Sequence, residues 1–128
     1  MTFKLALTQF AEKAGAQADL VIRKVALDIT SRVVDRSPVD TGRFRANWTL
    51  QIGAIDYTTT QAVDPGGEAT ASRLASALPK TVTGTVIYIA NSLPYAWRLE
   101  TGYSKQAPAG MVGLTVAEYA SIVDRAAA

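Results

Sequence analysis

The sequence predicts an α+β fold, in which a long N-terminal amphipathic helix packs on a small antiparallel sheet, with short helices in the second half. Apolar residues recur at steps of three and four between Phe10 and Val33, as along one face of a helix. Three shorter runs have the alternating or continuous apolar pattern of strands. The 128 residues contain no internal repeat and no long linker, so we expect one domain over residues 1–128.

The long helix is the most regular pattern in the chain. Its apolar stripe consists of Phe10, Ala14, Ala18, Val21, Val25, Ile29 and Val33. Thr8 stands where an N-cap is expected, and Pro38 ends the helix because the residue before a proline avoids helical backbone angles. The spacing predicts about seven helical turns.

Three segments have the pattern of strands, namely residues 3–7, 48–52 and 81–90. The first two alternate apolar and polar or small residues, which predicts strands with one apolar face. The third has a continuous apolar centre, which predicts a strand covered on both faces.

The remaining elements are shorter. Residues 53–67 are polar and rich in turn formers, so we expect an exposed loop. Small apolar groups between Ala71 and Leu78 predict a short helix ended by Pro79, and residues 93–100 predict about one helical turn. Thr115 and Glu118 have the spacing of a capping box, which predicts the start of the last helix.

Composition argues against catalysis. The chain has no histidine and no cysteine, which removes the commonest general base, thiol nucleophiles and the usual zinc ligands. Gly66 and Gly67 lack the lysine of a phosphate loop. Asp56, Asp64 and Glu68 could hold a divalent ion, but solvated loop carboxylates are the simpler interpretation. We expect no enzyme and no cofactor, and a small hydrolase is the weakest alternative.

The sequence predicts neither a membrane protein nor an exported one. No stretch approaches the roughly 20 apolar residues that would span a bilayer. The first residues lack the charged region and long apolar core of a signal peptide. We expect the protein to be made in the cytoplasm and to leave it only within a larger particle.

The first unusual segment follows the long helix and reads SPVDTGRFRANW, residues 37–48. Asp40 and Thr41 can bind the turn backbone, and Gly42 supplies a positive φ if the turn needs one. Arg43 and Arg45 are expected on an extended segment, where they could face carboxylates of a partner or DNA phosphates. The alternative is a tight connection whose arginines are merely solvated.

The second unusual segment runs from Tyr88 to Gly102. Asn91 is expected to end a strand, and Pro94 to open a helical turn. Tyr95 and Trp97 lie two residues apart, so a helical turn points them in different directions. We expect one of them to pack inside and the other to meet solvent or a neighbour.

The same segment ends with a carboxylate and a glycine. Thr101 and Gly102 are expected to close the helical turn. Burying Glu100 without a partner would be costly, so we expect Arg98 or a loop arginine beside it. For this segment, a purely structural role is the alternative to a partner interface.

The order of three runs resembles a known family. SPVDTGRFRANW after a long amphipathic helix, then YIANSLPYAWRLETG, then QAPAGMVGLTVAEY, is similar to the tail-component family of long-tailed phages. Its members include tail-completion proteins similar to minor tail protein Z of lambda-like phages. The match covers most of the chain and its combination of motifs is fairly specific, whereas residues 54–80 are not diagnostic.

The resemblance implies a structural virion or prophage-encoded protein at the top of the tail, which completes the tail and helps to join it to the head. It implies contacts with other phage neck and tail proteins and a homo-oligomeric ring, for which a hexamer is one option. The family offers no catalytic residue. Its motif positions correspond here to Pro38, Asp40, Thr41, Gly42, Arg43, Asn91, Pro94, Tyr95, Glu100, Gly102, Pro108, Gly110 and Met111.

Two alternatives remain open from the sequence. A tail terminator or a head-closure protein would also form a small ring in the same particle. A nucleic-acid-binding module is the alternative of another class, indicated by the two loop arginines and a pI of about 9.0, although the net charge is only +2. DNA contact is compatible with the first interpretation but is not required by it.

Overall fold

A computed structural model describes residues 1–6, 18–82, 84–102, 104–107 and 110–127. It confirms the α+β class, with a long helix, a small antiparallel sheet and short helices in the second half. The elements in chain order are β1 (Thr2–Ala6), α1 (Ala18–Arg36), α2 (Arg43–Ala46), β2 (Trp48–Ile52), α3 (Glu68–Ser76), β3 (Val86–Asn91), α4 (Ala96–Glu100), α5 (Val112–Ala117) and α6 (Tyr119–Ala127). Within these ranges, no helix is long and apolar enough to cross a membrane.

The sheet has three antiparallel strands in the order β1-β3-β2. β3 is central, and its Ile87 and Ile89 point into the core with Leu50 of β2. The predicted cover on both faces is wrong in part, because Tyr88 on the opposite face is only half-buried and pairs with exposed Lys4. This face is open because the helical elements contribute their buried side chains to the core on the other face.

The third strand also begins later than predicted. The strand starts only at Val86, because the chain turns just before it. In this turn the Thr85 N–H donates to the Val82 carbonyl over 3.1 Å. The Val82 N–H in turn donates to the Asp19 carboxylate over 2.8 Å. Val82 and Thr85 are therefore tied to α1 and to each other ahead of the strand.

Helix α1 confirms the predicted apolar stripe where it is described. Val21, Val25, Ile29 and Val33 are all buried in the core, and the helix ends at Arg36, ahead of the proline. The predicted N-cap Thr8 and the first part of the stripe, Phe10 and Ala14, lie outside the described residues, as does Leu7 at the end of the first predicted strand.

The predicted loop and short helices are present with shifted bounds. Residues 53–67 have no regular secondary structure and form what we call loop 53–67. The helix predicted over residues 71–78 is α3, which begins three residues earlier, at Glu68, and ends at Ser76. The helical turn predicted over residues 93–100 is α4, which covers only the second half of that range, Ala96–Glu100.

The predicted capping box at the last helix is wrong. Because α5 begins at Val112, Thr115 lies inside that helix, and its hydroxyl donates to the Met111 carbonyl one turn back. The Glu118 carboxylate turns away from the helix end and forms ion pairs with Arg32 and Arg36. These ion pairs tie the C-terminal helices to α1.

Candidate functional site

The turn after α1 leads into a short helix and not into an extended segment. Gly42 has φ +94° and is the N-cap of α2, and the Arg43 N–H donates to Thr41 Oγ1 over 3.2 Å. A Cβ at Gly42 would lie 2.5 Å from the backbone nitrogen of Pro65, so the turn also needs the missing side chain. Thr41 and Gly42 thus have their predicted roles, side-chain bonding and a positive φ, whereas Asp40 makes no hydrogen bond with the described residues.

The two arginines of α2 bind the protein's own backbone. Arg45 donates to the carbonyls of Asp35 and Ser37 at the end of α1, and to that of Pro65 over 2.7 Å. Arg43 donates through Nε to a carbonyl in loop 53–67. The expected extended segment is wrong, because residues 43–46 form α2. The guanidinium of Arg45 satisfies carbonyls that the end of α1 leaves without partners.

The second motif is joined to the first through Phe44. Buried Asn91 ends β3 and donates through Nδ2 to the Phe44 carbonyl over 2.9 Å. The rings of Phe44 and Tyr95 are 5.8 Å apart, and Phe44 also meets the edge of Trp48. Pro94 is exposed and immediately precedes the N-cap of α4, where it was expected to open the helical turn.

The two aromatics of the second motif lie in different surroundings, but neither packs inside as expected. Tyr95 is 38% exposed and packs on Phe44, whereas Trp97 is 67% exposed. The Gly102 N–H donates to the Leu99 carbonyl over 3.2 Å, which closes α4 where the sequence indicated. The exposed indole is thus left for solvent or a neighbour.

Glu100 binds backbone amides in place of the expected arginine. Its carboxylate accepts the N–H groups of Met111, Val112 and Gly113 over 2.8–2.9 Å. These amides lie at the start of α5, where a helix has N–H groups without partners and favours negative charge. A Cβ at Gly110 would lie 2.4 Å from the Glu100 carbonyl oxygen, so the third motif needs a glycine at this contact.

A glutamine that the sequence did not single out joins the third segment to the first. The Gln106 amide accepts from the Val39 N–H and donates to the Val39 carbonyl, each over 2.9 Å. Both groups of one backbone residue are satisfied, much as in a β-bridge. The only sequence signal was its position at the start of the third run; Pro108 of that run lies outside the described residues.

The three segments enclose a cleft of about 350 Å³, which we call the motif cleft. Its lining combines apolar side chains with a polar rim, as in many binding sites. The apolar members are Pro38, Val39, Phe44, Tyr95 and Leu99, and the polar ones are Asp40, Thr41, Arg43, Ser104 and Gln106. Asp40 is exposed and makes no hydrogen bond or ion pair with the described part of the chain.

A second cavity of about 430 Å³ lies under loop 53–67. Threonines of the loop and the side chains of Asn47, Thr70 and Arg73 line it. Asn47 bonds Thr60 of the loop through both ends of its amide, and Arg73 donates to the Trp48 carbonyl at the edge of β2. Polar side chains thus fix this loop to the body of the molecule.

The loop carboxylates serve as local caps. Asp64 accepts the Thr70 N–H over 2.7 Å and the Gly67 N–H over 3.2 Å, and these bonds hold the pKa of the Asp64 carboxyl below its usual value. Hydrogen bonds from Thr58 lower the pKa of Asp56 in the same way. Over the described ranges, no three potential metal-ligating side chains cluster together.

Comparisons with known proteins add no relative: no family model, no curated protein and no solved structure matches the chain. With no relative to compare, the role of the site is inferred from the geometry of the motif cleft and its surroundings.

Proposed function

We propose that this chain is a structural virion protein of a long-tailed phage, which completes the tail at the head–tail junction and helps to join it to the head. The observation that carries the proposal is the convergence of its three family-like segments on the motif cleft. Asn91 meets Phe44, Gln106 meets Val39, and Glu100 binds the start of α5. Residues far apart in the chain thus line one cleft.

The surface chemistry favours assembly. Trp97 and Tyr57 are 67% and 70% exposed, and Val63 is also exposed. Tryptophan and tyrosine are among the residue types that are enriched at protein–protein interfaces. Tail and neck proteins are the partners that the family resemblance suggests.

Nucleic-acid binding has less support. A phosphate would have to displace the backbone carbonyls that both terminal nitrogens of Arg45 already bind, and Arg43 already binds a loop carbonyl through Nε. The net charge of +2 adds little long-range attraction. DNA contact within an assembled neck is compatible with the proposal but supplies none of its evidence.

The test is electron microscopy of particles produced by a phage that lacks this gene. We expect complete heads and complete tails that fail to join, with joining restored when the chain is supplied from a plasmid. Tails of aberrant length would instead identify a terminator, and filled heads that lose DNA would identify a head-closure protein. Normal particles without the protein would refute a role in the junction.

A further inference from the structure

We propose that Trp97 of one copy inserts into the motif cleft of the next copy, and that this contact repeats head to tail around a ring. The inference rests on the proposed function, since it names the neighbour that the exposed site meets. It assigns the partner of the cleft as a second copy of this chain.

The directions of the side chains on α4 support this arrangement. Tyr95 and Leu99 both line the motif cleft, whereas Trp97 does not. Two residues along a helix correspond to about 200° of rotation, so Trp97 lies on the opposite side of α4. A projection on one side and a recess on the other make a heterologous contact, which propagates from copy to copy and forms a ring where the rotation between copies closes.

Size and chemistry also match. The cleft of about 350 Å³ has room for an aromatic side chain, and Phe44 and Tyr95 offer rings against which an indole can pack. The indole N–H is a donor without acceptor capacity, and the exposed Asp40 carboxylate at the cleft can accept it.

The first test removes the indole. We expect Trp97→Ala to weaken self-association by at least about 30-fold, as for a central tryptophan of an interface. At a dilution where the wild type is also monomeric, the thermal unfolding temperatures of the two chains should be the same. Tyr57→Ala is the matched control, because Tyr57 is equally exposed but lies on loop 53–67. Native mass spectrometry should show rings for the wild type and the control, and monomers for Trp97→Ala.

The second test blocks the recess. Thr41→Trp fills the cleft from its exposed rim, so we expect this variant to be monomeric as well. Mixed with Trp97→Ala it should form heterodimers and nothing larger, because one variant retains the projection and the other retains the recess. A wild-type chain that stays monomeric or stops at a dimer, or rings from either variant alone, would overturn the inference.

Cross-linking maps the contact directly, because the natural chain has no cysteine. The double variant Asp40→Cys, Arg98→Cys should give a ladder of disulfide-linked multimers under oxidation, whereas Asp40→Cys, Tyr57→Cys should not. Failure of the ladder while gene deletion still leaves heads unjoined would refute this contact alone. Normal particles after deletion would refute the proposed function itself.

Discussion

Two hydrogen bonds in series connect the end of α1 to the start of β2. Trp48 Nε1 donates to Ser37 Oγ over 2.7 Å, and Ser37 Oγ donates to the Val33 carbonyl over 2.6 Å. Both side chains are buried, so the indole N–H and the hydroxyl each need this partner. The pair fixes where the first motif begins, just before the proline.

Among the residues of that motif, Gly42 is the one at which adding a single methyl group should destabilise the fold most. We expect Gly42→Ala to lower the free energy of unfolding by about 3 kcal/mol, because a positive φ and a backbone clash at 2.5 Å add together. Gly53→Ala is the control, since its φ is +82° but its Cβ would meet nothing within 4 Å, and it should cost about 1 kcal/mol. Urea unfolding measures both, and equal losses would contradict the role of the Pro65 contact.

Glu100 should contribute through its charge and its two oxygens. We expect Glu100→Gln to lower the free energy of unfolding by about 1–2 kcal/mol, because three amides at the start of α5 lose a charged acceptor. Glu68→Gln makes the same change in the first turn of α3, where the exposed side chain makes no hydrogen bond with the described residues, and should cost less than about 0.5 kcal/mol. If the two variants were equally stable, the charge of Glu100 would not stabilise the fold through these contacts.

At the scale of elements, α3 shows a cap supplied from outside the helix. Its N-cap is Gly67, which has no side chain, so Asp64 three residues earlier accepts the Thr70 N–H instead. The sequence indicated apolar side chains at Leu74 and Leu78, and both are buried, although Leu78 lies beyond the end of α3. It indicated neither the cap nor the start of the helix.

The Asp64 cap predicts a pH dependence of stability. Because the folded-state pKa is lowered, its contribution is complete above the unfolded pKa of about 3.9 and is lost as the pH falls through the lower, folded value. We expect Asp64→Ala to cost about 1 kcal/mol at pH 7, and its difference from the wild type to shrink below about pH 4. Thermal unfolding across pH 2–7 checks this, with exposed Asp124→Ala as control. If the difference in stability between Asp64→Ala and the wild type did not change with pH, the ionised Asp64 cap would not be its cause.

The two helices at the C-terminal end illustrate how a short motif can mislead. Thr115 and Glu118 have capping-box spacing, yet the free amides at the start of α5 are bound by Glu100. The side chains of the apparent box are used elsewhere, and Glu118 pairs with Arg32 and Arg36 across the molecule. A local pattern could not reveal these partners, because they are about 80 residues away in sequence.

At the scale of the whole molecule, loop 53–67 is held by polar side chains more than by packing. Asn47 is buried and donates to the carbonyls of Arg43 and Thr60, while its oxygen accepts the Thr60 N–H. These bonds keep the loop against β2 and α3, over the larger cavity. The exposed Tyr57 is presented at this edge of the molecule.

Removing Asn47 should release the loop before the rest of the fold. We expect Asn47→Ala to increase chymotrypsin cleavage after Tyr57 about tenfold, since the lost amide bonds stabilise the closed loop by about 1.4 kcal/mol. Gln61→Ala, an exposed change in the same loop, should leave cleavage unchanged. Cleavage sites and rates are measured by mass spectrometry, and equal rates in both variants would contradict the role of Asn47.

The sequence by itself determined the α+β class, the described part of the apolar stripe of α1, strand β2 and the separation of Tyr95 from Trp97. These features follow from periodicity, which acts between near neighbours and is visible in the residue order. The function proposed from the order of the three motifs remains a prediction that the particle experiment tests.

Only the tertiary structure decided where the polar side chains of the motifs bind. Arg45 binds backbone carbonyls, Glu100 binds amides of α5, and Gln106 binds Val39. Hydrogen-bond partners separated by many residues are set by packing of the core, and the side-chain types alone leave them open. The motif cleft, with Trp97 directed away from it, exists because those long-range bonds bring three segments together.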